Sequence, residues 1–194
     1  MKIGILGLGL IGGSLARAYA KNGDTVYAFD SNESILEFAQ ISGVVHGILD
    51  TTTISECDLI LPAIYAGGSI AWMTENAKYI SPDALVIDCC GIKKEICECG
   101  FDLAKTYGFT FVGGHPMAGS HYSGFKYSRS NIFQGAPMVL VPPTFDDPVL
   151  LSRVKDTLKP CNFGSYSVTT AQLHDKMIAF TSQMPHIVSN AYIK

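Results

Sequence analysis

The stretch that decides the fold lies at the start of the chain: KIGILGLGLIGGS, residues 2–14. Its apolar opening is typical of a short buried strand, and the following segment, 10–23, has the apolar spacing of a helix. Between the two, Gly7, Gly9 and Gly12 form the pattern G-x-G-x-x-G. Glycine inside a strand or helix forfeits side-chain burial and costs conformational entropy, so the pattern requires a backbone explanation.

Each glycine has a separate role in a turn that binds a pyrophosphate. Gly7 permits the tight turn, Gly9 lets phosphates approach the backbone, and Gly12 lets the helix pack closely against the strand. The N–H groups and partial positive charge of the helix N-terminus then face the phosphates. Asp30 ends a second predicted strand, 24–30, where a carboxylate accepts hydrogen bonds from ribose hydroxyls and repels a 2′-phosphate. We therefore predict dinucleotide binding, with NAD favoured over NADP; the alternative is a tight turn that binds nothing.

The rest of the chain alternates apolar strands with helical segments. We predict further strands at 57–64, 84–90, 109–114, 136–142 and 161–167, and helices at 33–43, 67–79, 92–108 and 148–158. Near-continuous apolar strands that alternate with helices indicate an α/β fold with a doubly wound, mostly parallel sheet covered on both faces. We assign residues 1–167 to this Rossmann-type, NAD-binding domain.

Residues 168–194 have a different pattern. One apolar stripe on a long helix is indicated by six residues that step by four and three: Leu173, Met177, Phe180, Met184, Ile187 and Ala191. Pro185 is expected to kink this helix. We predict that 168–194 form the first helix of a second, helical domain, whose packing partners lie outside this sequence.

The composition limits the class of protein. The chain has 194 residues, of which 47% are hydrophobic and 16% charged. This composition provides enough apolar residues for a core and differs from that of a disordered chain. A net charge of −3 gives no indication of nucleic acid or of an anionic membrane surface, and we find no transmembrane stretch of about 18 apolar residues. The six cysteines are irregularly spaced, so we expect reduced thiols in the cytoplasm, no disulfide framework and no metal site.

Two polar stretches follow predicted strands and carry candidate chemistry. In GGHPMAGSHYSG (113–124), His115 is expected at the carboxyl edge of the sheet, where ligands bind in such folds. A neutral imidazole there accepts the proton of a hydroxyl as hydride leaves the same carbon; the alternative is a structural histidine. In DCCGIKK (88–94), Gly91 permits close approach of a ligand, whereas we expect Lys93 to be a solvated lysine at a helix start rather than a counter-charge for the substrate.

Other polar groups allow two interpretations each. His121, Lys126 and Arg129 either hold an anion or, as we favour, are solvated charges of a loop. Ser182 and His186 lie four residues apart on one face of the last predicted helix. They either line a cleft or cap carbonyl groups that the kink frees.

Five motifs, taken in order, resemble the prephenate dehydrogenase family: GLGLIGGSLA, the strand ending at Asp30, VIDCCGIKKEI, GGHPMAGSHYSG and HDKMIAFTSQMPHIVSNA. The histidine loop and the S-x-x-P-H segment are far more specific than the glycine pattern. The resemblance implies oxidative decarboxylation of prephenate to 4-hydroxyphenylpyruvate in tyrosine biosynthesis, with hydride transfer to NAD and His115 as the catalytic histidine. Arogenate dehydrogenase and a non-catalytic NAD-binding fragment remain open as alternatives.

The resemblance also implies an assembly and a set of site residues. Members of the family dimerise through the helical domain, so we expect a homodimer. Substrate contacts are expected from Ser120, His121, Ser182 and His186. Cofactor contacts are expected from Gly7, Leu8, Gly9, Leu10, Ile11, Gly12, Asp30, Pro62, Ala63 and Gly91.

Three positions depart from the family pattern. Gly91 stands where the family often has a serine near the nicotinamide and the substrate hydroxyl. His121 stands where the loop commonly has a glutamate, and Gln183 where the last segment usually has a histidine. The family's helical domain also carries an arginine that binds the substrate carboxylate, and no position here matches it.

Overall fold

The computed structural model describes residues 1–183, which form an α/β fold with one sheet and flanking helices. The strands are β1 (Lys2–Leu6), β2 (Thr25–Phe29), β3 (Gly47–Ile48), β4 (Leu59–Pro62), β5 (Leu85–Ile87), β6 (Thr110–Pro116), β7 (Pro137–Val141) and β8 (Ser165–Val168). The helices are α1 (Leu10–Lys21), α2 (Glu33–Ile41), α3 (Ala66–Asn76), α4 (Lys94–Tyr107), α5 (Pro148–Thr157) and α6 (Ala171–Ile178).

Over the described range the eight strands lie in the order β3-β2-β1-β4-β5-β6-β7-β8. Every neighbouring pair is parallel except β6 and β7, which are antiparallel. The prediction of a doubly wound, mostly parallel Rossmann-type sheet is confirmed. The two-residue strand β3, which pairs Gly47 with Tyr27, is too short for its sequence pattern to indicate a strand.

The sheet is covered on both faces because successive strand residues point to opposite sides. Ile3, Ile5 and Leu61 face a core shared with α1, α2 and α5, whereas Ile60 and Val86 face a second core shared with α3 and α4. Because both faces are buried, the strands read as continuous apolar runs rather than as an alternation. Parallel strands then bring their carboxyl ends, and the loops that follow them, to one edge.

The segment after β8 begins as predicted and then changes geometry. Thr170 caps α6 by accepting a hydrogen bond from the N–H of Leu173, and the helix continues as a π-helical turn over Ala179–Gln183. The predicted kink at Pro185 lies outside the described residues. Within residues 1–183, no helix has both the length and the apolar character needed to cross a membrane.

Candidate active site

The glycine turn has the backbone geometry that its sequence pattern predicts. Gly7 follows β1 with φ +88°, a left-handed conformation that favours glycine. A Cβ at Gly12 would collide with the carbonyl oxygen of Gly7 and lie 3.1 Å from Cβ of Ala63, so α1 packs against the turn only because this position lacks a side chain. At Gly9, by contrast, an added Cβ would meet nothing within 4 Å. The backbone at Gly9 therefore borders open space, as a turn that admits phosphates requires.

Asp30 lies next to this turn and is hydrogen-bonded to it. One carboxylate oxygen accepts a hydrogen bond from the backbone N–H of Leu8 at 2.7 Å, and the other accepts one from the backbone N–H of Asn32 at 2.9 Å. The N–H of Gly7 donates to the carbonyl of Phe29 at 2.7 Å, which brings the ends of β1 and β2 together. Asp30 is half-buried, so its carboxylate remains accessible to the hydroxyls of a ribose.

The ends of β4 and β5 continue the same edge. The N–H of Ala63 donates a hydrogen bond to the carbonyl oxygen of Leu6 at 2.8 Å. The N–H of Cys89 donates one to the carbonyl oxygen of Pro62 at 2.8 Å. The loop that contains Gly91 follows and leads into α4. A Cβ built at Gly91 would have Nε2 of His115 as its nearest neighbour, at 4.0 Å, so the two positions face each other across the edge.

His115 lies in strand β6, not in the loop after it as the sequence pattern suggested. The strand continues through Pro116 because it pairs with β7, which matches His115 with Val139. The imidazole is half-buried, and its Nδ1 lies 2.9 Å from Nε2 of His174 at the start of α6. His115 thus reaches the predicted edge of the sheet with one ring nitrogen engaged and the other directed toward Gly91.

The second imidazole is held by an acid from the same helix. His174 is buried, with 3% exposure, and its Nδ1 lies 2.7 Å from a carboxylate oxygen of Asp175. Asp175 also accepts hydrogen bonds from the backbone N–H groups of Lys93 at 2.7 Å and Lys94 at 2.9 Å. These donors are the N–H groups of the N-cap residue and of the first residue of α4, so Asp175 caps a helix distant from it in sequence.

Lys93 is fully buried, which contradicts the prediction of a solvated lysine. Its ammonium forms an ion pair with Asp88, and both side chains are 0% exposed. The Asp88 carboxylate also accepts hydrogen bonds from the N–H groups of Cys90 and Gly114, both at 3.0 Å. The prediction failed because a pattern of residue types at a helix start does not reveal a buried partner five residues earlier. A buried charge persists when it is paired and hydrogen-bonded, as this one is.

The environment of His115 favours the neutral imidazole. Burial, together with the neighbouring His174 and the Lys93 ammonium, lowers the pKa of His115 to about 4, and Asp175 opposes this only in part. A histidine with this pKa carries no charge near neutral pH. It is therefore available to accept a proton.

The remaining predicted substrate residues lie in two places. In the loop after β6, Ser120 and His121 are exposed, and the Ser120 hydroxyl accepts a hydrogen bond from Tyr122 at 3.1 Å. Lys126 and Arg129 are also exposed, in keeping with solvated loop charges. Ser182 lies in the π-helical turn, and its side chain is not among those described; His186 lies outside the described residues.

Sequence reasoning missed the residues that hold His115. His174 and Asp175 were part of a quoted motif, yet they received no role because they lie 59 residues or more from His115 along the chain. The available signal was an adjacent histidine and acid at the start of an amphipathic helix, off its apolar stripe. Asp88 carried a similar signal, since it is an acid directly after the apolar residues of β5.

The turn, the acid and the open backbone at Gly9 fit a dinucleotide, and the fold that positions them is a nicotinamide-dinucleotide-binding fold of the Rossmann type. A family model described as "Prephenate dehydrogenase, nucleotide-binding domain" matches residues 15–166. The chain therefore belongs to the prephenate dehydrogenase family, whose nucleotide-binding domain it contains.

Individual relatives agree with this assignment. Prephenate dehydrogenase of Lactococcus lactis subsp. cremoris is 30% identical over 195 residues, covering 99% of this chain and 53% of the relative. The chain thus spans about half the length of this curated relative. Among solved structures, Synechocystis arogenate dehydrogenase is 30% identical with a TM-score of 0.87, covering 100% of this chain and 68% of that one. Prephenate dehydrogenase from A. aeolicus, solved with hydroxyphenyl propionate and NAD+, is 28% identical with a TM-score of 0.78, covering 100% and 68%.

Proposed function

We propose that this chain is the nucleotide-binding part of an NAD-dependent dehydrogenase that converts prephenate to 4-hydroxyphenylpyruvate in tyrosine biosynthesis. One observation carries the proposal: Nε2 of His115 faces Gly91 at the sheet edge that also holds the glycine turn and Asp30. A proton acceptor therefore lies beside the position expected for a nicotinamide. The family membership supports the same reaction.

The chain's residues would hold NAD along the sheet edge. The turn Gly7–Gly12 and the N-terminus of α1 would bind the pyrophosphate, and Asp30 the adenosine ribose. Pro62 ends β4, Ala63 follows it and Gly91 lies in the loop after β5; all three would border the path toward the nicotinamide. When bound, NAD supplies the acceptor for a hydride.

His115 would then act on the substrate hydroxyl. In prephenate, one ring carbon bears both a hydrogen and a hydroxyl group. As that carbon loses hydride, Nε2 of His115 would form a bond to the hydroxyl proton, and the electron pair of the O–H bond would form the C–O double bond. Loss of carbon dioxide leaves the electron pair of the broken C–C bond to the ring, which becomes aromatic as the C–O double bond returns its pair to oxygen. That oxygen takes a proton, which Nε2 of His115 would return, to give the phenol. The driving force comes from the substrate, so the protein's task is mainly to position groups and charges.

Arogenate is the second candidate substrate. It is favoured by the TM-score of 0.87 and 30% identity with Synechocystis arogenate dehydrogenase. The two substrates share the reacting ring and differ in their side chain, where prephenate has a keto group and arogenate an amino group. Ser120, His121, Ser182 and His186 are the residues of this chain that we propose for substrate contacts.

We further propose that residues 168–194 begin a helical domain for substrate binding and for dimerisation. The described part of its apolar stripe supports this proposal, because Leu173, Met177 and Phe180 are each more than 50% exposed. Sedimentation of the chain alone tests the dimer.

We also propose a cytoplasmic location, since none of the six cysteines is in a disulfide.

The reaction is tested by NADH formation with NAD and either prephenate or arogenate, alongside NAD binding by fluorescence titration. Turnover of prephenate supports the proposal, and turnover of arogenate alone supports the second candidate. NAD binding without turnover of either substrate, both here and after fusion to the remaining half of a curated relative, identifies a non-catalytic binding module. That result would contradict both dehydrogenase candidates.

A further inference from the structure

We propose that His174 and Asp175 are positioning residues that hold His115 with its proton on Nδ1 and its lone pair on Nε2. The assignment of protons follows from the hydrogen-bond geometry around an ionised Asp175. Its catalytic consequence rests on the function proposed above.

The carboxylate of Asp175 accepts hydrogen bonds and does not donate them. Three N–H donors surround it: the backbone groups of Lys93 and Lys94 and the imidazole of His174. Desolvation opposes its charge, but the hydrogen bonds from His174, Lys94 and Lys93 lower the pKa of Asp175, so it is ionised near neutral pH. An ionised carboxylate 2.7 Å from Nδ1 of His174 requires that this nitrogen carry a hydrogen.

The proton on His174 determines the proton on His115. A neutral imidazole has one N–H, so Nε2 of His174 has a lone pair and accepts. The proposed arrangement has His174 as a neutral ring, buried with 3% exposure. Its partner at 2.9 Å, Nδ1 of His115, must then donate. With one hydrogen on Nδ1 and none added near neutral pH, His115 keeps its lone pair on Nε2, the nitrogen that faces Gly91.

The charged groups around the pair act on a protonated His115 in opposite directions. Asp175 of α6 faces His174 and favours the charge, whereas the Lys93 ammonium, which is paired with Asp88, opposes it. If His115 accepts a proton on Nε2, its Nδ1–H already points at an acceptor, and that acceptor donates to a carboxylate. The imidazolium is stabilised without any further proton transfer.

The test is a long-range ¹H–¹⁵N correlation spectrum of the chain labelled on its histidine nitrogens, which reports the tautomer of each ring without any need for turnover. At neutral pH we expect His115 and His174 as Nδ1–H tautomers. His46 provides an internal control, because its Nδ1 accepts a hydrogen bond from the N–H of Val26 at 3.0 Å, which requires the opposite tautomer. An Nε2–H tautomer of His115, or a free mixture of the two, would overturn the proposal.

Matched variants separate orientation from simple packing. His174→Gln keeps an oxygen that accepts from Nδ1 of His115, whereas His174→Phe fills the same space without an acceptor. We expect the Nδ1–H tautomer of His115 to persist with glutamine and to be lost with phenylalanine; retention in both would overturn the role of His174. If His174→Phe does not fold, the wild-type spectrum still decides. If the assigned tautomers are found in a chain that turns over no substrate, this inference stands and the proposed function fails.

With turnover established, the same variants give a kinetic test. His174→Phe is expected to lower kcat about tenfold or more at unchanged KM, and His174→Gln to restore most of it. An Asp175→Asn variant leaves one acceptor oxygen for three donors, so we expect a mixture of tautomers on both rings. An unchanged kcat in His174→Phe would contradict the catalytic consequence.

Discussion

The glycine turn and the histidine site lie at the same edge of the sheet, yet they are built in opposite ways. The turn uses consecutive chain from Gly7 to Asp30, and its main contacts involve backbone groups. The histidine site joins three separate segments, 88–94, 113–116 and 174–175, through side chains. A site made of local backbone is visible as a motif, whereas a site made of distant side chains exists only once the sheet and α6 are in place.

The largest expected effect tests whether the two regions are functionally separate. His115→Asn should lower turnover about a hundredfold or more, because it removes the proton acceptor. NAD affinity should stay nearly unchanged, because the glycine turn and Asp30 are untouched. Steady-state NADH formation and a fluorescence titration with NAD measure the two effects. Unaltered turnover would remove His115 from the proposed role, and a parallel loss of NAD affinity would show that the regions are coupled.

The next test concerns the stability of the histidine site. Lys93→Met leaves the buried Asp88 carboxylate without its cation and should lower the free energy of unfolding by about 3–5 kcal/mol. Lys159→Met is the control, because its ion pair with Asp156 is exposed and should contribute almost nothing measurable. Urea unfolding compares the two. Equal midpoints for both variants would show that the buried pair is not structural, and Asp88→Asn added to Lys93→Met should recover part of the loss.

Selectivity for the cofactor tests the glycine turn. Asp30→Ser removes the carboxylate proposed to bind the ribose and the acceptor for Leu8. NAD affinity should fall about tenfold or more, in line with about 1.5–3 kcal/mol for hydrogen bonds to a charged group, and NADP should gain relative to NAD. Titrations with both cofactors, and with Asp156→Asn as a remote control, measure the change. Undisturbed NAD affinity would refute the ribose assignment.

A smaller effect is expected where the two regions meet. Gly91→Ser restores a hydroxyl beside Nε2 of His115, in space that an added Cβ does not clash with. One additional hydrogen bond of about 0.5–1.5 kcal/mol would raise turnover about two- to tenfold. Gly91→Ala serves as the control, since it adds the Cβ alone. An equal rise in both variants would assign the effect to packing.

The smallest expected effect is a turnover that stays constant over a range of pH. Because the pKa of His115 is lowered from about 6.5 to about 4, the neutral base is already present at pH 5 and above. The contribution of His115 to kcat/KM should therefore be constant from about pH 5 to 8 and fall only as pH decreases through 4. A profile that loses half its value near pH 6.5 would mean that the imidazole is solvated rather than held beside His174 and Lys93.

The difference between the two regions also explains which parts of the fold and of the site could be predicted from the sequence. The glycine turn, Asp30 and the mostly parallel sheet were predictable because strand, turn, helix and acid occur in order within one local unit. His115 was recognised as a candidate, but its place within β6 depends on pairing with β7, a partner that follows a long loop. Lys93 was assigned to solvent because its burial depends on Asp88 and on the packing of α4, which no periodicity reports.

The capping of α4 by Asp175 has a consequence for chimeric proteins. An exchange of domains with a junction near residue 167 would take His174 and Asp175 from one parent and His115 from the other. The acceptor for His115 and the cap for α4 would then both come from a foreign sequence. Positions 115, 174 and 175 should therefore be transferred as one block, and a recombination point placed after 175 should yield the more active hybrids.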